Sequence, residues 1–166
     1  MILFINGASN TGKSTVAHLL TQYIPDSIVI EIDTFIAASK NPHPPARIQE
    51  GIQKGIQLTK HSLSQGQNII LPFPLSDKHY NFFKQAFQKH QTKMFFFTLD
   101  PSLETAKLFR GRKLTPKEGQ RIRRFYELNL HRPSFGTIIN TENHTPIDTA
   151  TVILHSLQTQ IDQRKK

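Results

Sequence analysis

The sequence predicts an α/β fold built on a parallel sheet. Three observations lead there. Apolar strand-like runs alternate with segments of helical period along the chain. The run from Lys93 to Leu99 is almost unbroken in its apolar character, as in strands covered on both faces. A glycine-rich segment, Gly7 to Ser14, sits between the first apolar run and the first amphipathic one. No repeat, linker or shift in composition divides the chain, so one domain over residues 1–163 is expected, with 164–166 as a short basic tail.

The elements follow in order. Residues 2–6, Ile-Leu-Phe-Ile-Asn, read as the first strand. A helix from 13 to 23 places Val16, Leu19, Leu20 and Tyr23 on one face. Ile28 to Ile32 reads as the second strand, ending at Asp33. Asn41-Pro42-His43-Pro44-Pro45 is a breaker cluster and reads as loop. A helix over 46–65 carries Ile48, Ile52, Ile56 and Leu63, with Gly66 as its stop. The third strand, 68–72, ends at Pro72-Phe73-Pro74. A helix over 77–90 is marked by Phe83, Ala86 and Phe87, and the fourth strand is 93–99. Asp100-Pro101 reads as an N-cap and first helical residue. That helix is expected to run to Arg110-Gly111. Thr115-Pro116-Lys117-Glu118 has the form of a capping box and opens a helix to about 130. The fifth strand is 136–140. The last helix starts at Thr145-Pro146 and carries a stripe of Ala150, Ile153, Leu154, Leu157 and Ile161.

Composition narrows the class. Thirty-seven per cent apolar and twenty per cent charged residues make an ordinary globular mixture. No apolar run nears the ~20 residues that span a bilayer, and Met1 to Ile5 is too short and unflanked to read as a signal peptide. The chain has no cysteine, so disulfides and thiolate metal sites are excluded. The cytoplasm is therefore the expected compartment. The formal charge is +9, of which residues 110–124 hold +6: Arg110, Arg112, Lys113, Lys117, Arg121, Arg123 and Arg124 against Glu118. Such a cluster attracts phosphate-bearing partners.

Gly7-Ala8-Ser9-Asn10-Thr11-Gly12-Lys13-Ser14 matches G-x-x-x-x-G-K-[ST] at every specified position, after a strand and before a helix. Glycines let the backbone curl around phosphate oxygens, and the following helix adds partial positive charge at its N-terminus. The motif expects Lys13 on the β- and γ-phosphates of ATP. It expects Ser14 on Mg²⁺, which keeps several of its waters, and Thr15 on the α-phosphate. Ser9, Asn10, Thr11 and Gly12 complete the cradle.

In a parallel sheet, ligands gather at the carboxyl ends of strands. Asp33 is expected to share the cleft with the phosphate loop. There it is placed to accept a hydroxyl proton or to hold a metal-bound water, although an Asp capping the next turn would look the same in sequence. Phosphoryl transfer needs positive charge around the transferred group. Arg110 and Arg112 are the candidates for a lid over the γ-phosphate. Lys117, Arg121 and Arg124 share a helix face that either looks into the cleft or is solvated. His131 reads as a hydrogen-bonder, and Phe95-Phe96-Phe97 as sheet core.

The residues carry a resemblance. Asn6 to Ser14 followed by Ile32-Asp33-Thr34-Phe35 resembles the chloramphenicol phosphotransferase-like kinases of the P-loop kinase superfamily. So do His131 to Phe135, Ile139-Asn140-Thr141 and Thr145 to Ala150. Similar Asn-Thr…Pro loops occur in adenylylsulfate kinases. Phe109 to Pro116 resembles the lid of phage-type polynucleotide kinases. The resemblance implies a three-layer fold with five parallel strands ordered 2-3-1-4-5. It implies Asp33 as general base, Arg110 and Arg112 on ATP phosphates within a lid of about 110–131, and Thr141 and Pro146 against adenine. Two departures stand out. Ile70 to Pro74 carries no acid where many relatives have one at the end of the third strand, which leaves Mg²⁺ to Ser14, waters and Asp33. Ile36 occupies a position where polynucleotide kinases place a basic contact.

The expected function is transfer of the ATP γ-phosphate to a hydroxyl of a small molecule. Nucleic-acid 5′-hydroxyl ends are the alternative acceptor, and a nucleotide-binding regulator without catalysis is the alternative outside the enzymes.

Overall fold

A computed structural model describes residues 1–90, 92–108 and 113–163, with the backbone alone at Lys89. The predicted basic tail at 164–166 and the lid residues Arg110 and Arg112 lie outside the described residues. Five strands, β1 (Ile2–Asn6), β2 (Ser27–Val29), β3 (Asn68–Pro72), β4 (Met94–Leu99) and β5 (Thr137–Ile139), form one sheet in the order β2-β3-β1-β4-β5. Every pairing is parallel. The parallel α/β architecture is that expected from the sequence, and the strand order is the one that the family resemblance implies.

Strand alternation divides the core. Ile2 and Phe4 of β1 point to one face of the sheet, where they pack with Phe96 of β4. That face is covered by α3 (Pro44–Ser64) and α4 (Asp77–Phe87), which contribute Ile52, Ile56, Phe83 and Phe87. Leu3 and Ile5 point to the other face, together with Phe95 and Phe97. It is covered by α1 (Lys13–Leu20) and α7 (Pro146–Gln163), through Val16, Leu20, Ile153 and Leu157. All three phenylalanines of the fourth strand are thus buried as sheet core. The predicted stripe on the last helix faces this layer.

Beneath the phosphate loop, Asn6 joins three elements. It is fully buried at the end of β1. Its amide nitrogen donates to Thr98 Oγ1 of β4 at 3.0 Å, and its amide oxygen accepts from the Leu75 amide at 2.6 Å. A buried polar side chain needs such partners, and here they fasten β1, β4 and the turn after β3 below the cleft.

Several expectations are corrected. The second strand ends at Val29, with Ile30 N–H still donating to Ile70 O at 3.0 Å. Residues Ile32–Ala38 are helix α2, so Asp33 lies in its first turn rather than at a strand end. The β-branched run 28–32 suits a strand, but Ile32 is buried against Gly55 of α3, a helix packing that spacing alone does not reveal. The breaker cluster is not all loop: Pro44 and Pro45 form the first turn of α3, where a missing N–H costs nothing. Ser102, not Asp100, caps α5 (Leu103–Lys107), its side chain accepting from Thr105 N–H. Asp100 instead pairs with Arg132 at 3.1 Å. That helix stops at Lys107, short of 110. The first helix ends at Leu20, which leaves Tyr23 60% exposed off its apolar face, and Ile48 is exposed on α3.

The Thr115 capping box is present and opens α6 (Pro116–Glu127), a device worth about 1 kcal/mol. Gly66 (φ 80°) stops α3, donating to Leu63 O at 3.0 Å. No helix among the described residues is long and apolar enough to cross a membrane.

Candidate active site

The phosphate loop, residues 7–12, runs from the end of β1 into α1. Three positive φ angles curl it: Gly7 at 143°, Asn10 at 65° and Gly12 at 89°. Gly7 is needed for space as well as angle. A Cβ there would lie 2.8 Å from Thr11 Oγ1 and 2.9 Å from Leu99 O. Thr11 is buried, and its hydroxyl donates to Ala8 O at 3.0 Å. The turn is therefore closed from inside, while the first N–H groups of α1 have no partner within the helix.

Lys13 is almost buried, and its ammonium donates to Ala8 O at 2.7 Å. Burial lowers its pKa to about 8, against the attraction of Asp33 and then Glu31. Asp33 shows the opposite effect. Its side chain opens toward solvent, but desolvation by the surrounding walls raises its carboxyl above the ordinary value. Lys13 pulls it down, Glu31 pushes it up, and Arg121 pulls it down more weakly. Lys13, Asp33 and Arg121 thus form one electrostatic group, although they come from α1, α2 and α6.

These residues line a cleft of about 950 Å³. Ser9, Asn10, Gly12, Lys13, Ser14 and Thr15 bound one end of it. Asp33, Ile36, Ala37 and Arg47 come from α2 and α3; Glu118, Arg121 and Phe125 come from α6. Pro146 and Pro74 complete the wall. Of the other predicted residues, Gly7 and Thr11 shape the loop from within and do not line the cleft, and Thr141 is buried in the turn after β5. Ser14 and Asp33 face the same cleft, so the residues fit a magnesium ion held by few protein oxygens and several waters. Among the described residues no group of three or more His, Asp or Glu side chains is gathered for a metal.

Asn10 does something its motif position does not announce. Its side-chain amide donates to Ala106 O at 2.9 Å and Leu108 O at 3.1 Å. The phosphate loop is thereby tied to the end of α5, just before the basic segment. The predicted face of α6 splits. Arg121 enters the cleft, whereas Arg124 lies on another surface with Arg123 and Lys107 and pairs with Glu127 at 3.8 Å. His131 stacks on Tyr126 with ring centroids 4.4 Å apart. The Tyr126 hydroxyl donates to Pro101 O at 2.7 Å, and burial with nearby carboxylates raises its pKa to about 12. Sequence reasoning missed Arg47, which lacks any motif and reaches the cleft only because α2 and α3 pack together.

No family model matches the chain, and no curated protein matches it by sequence. Solved structures do resemble it. The tunicamycin resistance protein of Deinococcus radiodurans superposes with a TM-score of 0.71 at 23% identity, over 94% of each chain. A gluconokinase from Sinorhizobium meliloti gives 0.65 at 14% identity, over 99% of this chain and 97% of that one. The APS kinase of Mycobacterium tuberculosis, solved with AMPPNP and APS, gives 0.65 at 14%, over 95% and 96%. The fold is that of the P-loop kinases.

Proposed function

We propose that this chain is a cytoplasmic kinase that transfers the γ-phosphate of ATP to a hydroxyl of a small molecule. The observation that carries the reading is the convergence of Lys13, Ser14, Asp33 and Arg121 on one cleft. Lys13 and the loop amides hold the phosphates, and Ser14, with Asp33 through water, holds Mg²⁺. Bound there, the ion would supply charge neutralisation at the phosphate oxygens. Asp33 accepts the proton of the acceptor hydroxyl as its oxygen bonds the γ-phosphorus. The bond from that phosphorus to the bridging oxygen breaks, and ADP leaves. Arg121, with Arg110 and Arg112 in a lid of about 110–131, stabilises the transferred group. Pro146, on the cleft wall, borders the adenine. The catalytic unit is one domain over 1–163.

Kinases of this fold that act on small molecules support the reading by analogy of fold. The test is transfer from labelled ATP with Mg²⁺ to a panel of sugars, nucleosides, phenicols, aminoglycosides and 5′-hydroxyl oligonucleotides. Labelling of a small acceptor supports it. Labelling of oligonucleotides alone, with steep salt dependence, would favour nucleic-acid ends. The presence of Ile36 on the cleft wall speaks against that reading. Nucleotide binding without transfer to any acceptor would leave a non-catalytic regulator.

A further inference from the structure

Arg47 enters the cleft from the first turn of α3, and its Nε is buried without a hydrogen-bond partner. No described residue accepts from its guanidinium. The carboxylate one turn further along its own helix is already used. Glu50 accepts from Ser39 Oγ and, at 2.8 Å, from Asn41 Nδ2. Asn41 in turn accepts from His43 N–H at 3.0 Å. Glu50 therefore secures the connection between α2 and α3, and Arg47 is not needed to hold it. Among the described cleft residues, the other cations, Lys13 and Arg121, both hold the Asp33 carboxyl down electrostatically. A buried, unpaired guanidinium nitrogen is costly in a folded protein, and a ligand is one way such a group is satisfied.

Resting on the kinase reading above, we propose that the acceptor carries its own anionic group, a carboxylate or a phosphate, bound by Arg47. Arginine's planar fork suits both groups. Asp33 would repel such a substrate from the middle of the cleft. Arg47, attracting the anionic end, would turn the hydroxyl toward Asp33 and leave Lys13 and Arg121 to the nucleotide. The lining from Ile36, Ala37 and Phe125 is neutral, and Glu118, which also borders the cleft, would repel an anion as Asp33 does.

The test uses the full chain saturated with Mg²⁺ and AMPPNP, so that the nucleotide's cations are occupied. Calorimetry compares matched pairs: gluconate with gluconamide, glycerate with glyceramide, glucose 6-phosphate with glucose. At least one anion should bind about tenfold to a hundredfold more tightly than its neutral partner, the range for a hydrogen bond to a charged group. The pairs that respond separate carboxylate from phosphate. Arg47→Met should bring the ratio close to one while leaving AMPPNP affinity unchanged, which also shows that the variant folds. Arg47→Lys should keep part of the ratio. If no anion outbinds its partner, or if the preference survives in Arg47→Met, the proposal is wrong. Failure to bind AMPPNP at all is a separate result that overturns the kinase reading and this inference with it.

Discussion

Gly51 of α3 meets Ile36 of α2 so closely that a methyl built on it would lie 2.3 Å from Ile36 Cγ1 and 2.9 Å from the Ile36 nitrogen. The small residue is a notch that seats the helix bearing Asp33. Gly51→Ala should therefore push α2 aside. Overpacking of this kind costs about 1–3 kcal/mol. Phosphate transfer should fall by more than the melting temperature suggests, because the displaced helix carries the proposed base. Transfer rates and thermal melts on the same sample would check this; loss of stability with unchanged rate per folded molecule would refute it.

Asp33→Asn should keep nucleotide affinity within a few-fold and lower transfer by roughly 10²–10⁴, the usual contribution of a general base. The pH profile offers a second check. The Asp33 carboxyl is raised above its ordinary value, with desolvation the main cause. A base with a raised pKa is protonated, and lost, as pH falls through that raised value. The acid limb of the rate should thus lie above the ordinary aspartate range and disappear in Asp33→Asn.

Lys13 makes opposite predictions for binding and stability. Its pKa falls from 10.5 to about 8 on burial, a shift equivalent to about 3 kcal/mol at ~1.4 kcal/mol per unit. The sign follows from linkage. The penalty for burying the ammonium is full below about pH 8 and fades as pH rises toward the unfolded value. Lys13→Met should melt higher than the parent at pH 7, with the gap narrowing toward pH 10, while losing nucleotide affinity. Near pH 8, nucleotide binding to the parent should take up protons, visible as heats that depend on the buffer's ionisation enthalpy.

Asn6→Leu should destabilise the fold without touching any ligand. It removes partners from the buried Thr98 hydroxyl and from Leu75 N–H. Each unpaired group costs ~1–3 kcal/mol. Chemical denaturation should show a lower midpoint with an unchanged slope, since the surface exposed on unfolding stays the same.

The sheet was legible in the residues because period and punctuation agree with packing. Lys93 to Leu99 is apolar on both sides of the chain, and β4 is buried on both faces. The phosphate loop was legible because its backbone angles demand glycine at Gly7 and Gly12. Helix α2 was not. Ile32 is a strand former by habit, and what makes it helical is the notch at Gly55, twenty-three residues away in sequence. The same long-range packing hid Arg47. Asp100 misled because Asp-Pro has the form of a helix start, while its charge was committed to Arg132. On α6 the spacing of Lys117, Arg121 and Arg124 defined a face but not what it looks upon. Phe125 and Arg121 turn to the cleft, and Arg124 turns elsewhere.

The two hydrogen bonds from Asn10 to Ala106 and Leu108 make the glycine-rich loop and α5 a single lever. A shift in the backbone at residue 10 must be carried by the chain just ahead of the basic stretch, or those bonds break. Energetic cross-talk should therefore run in both directions. On the proposed function, loosening α5 would register as weaker nucleotide retention.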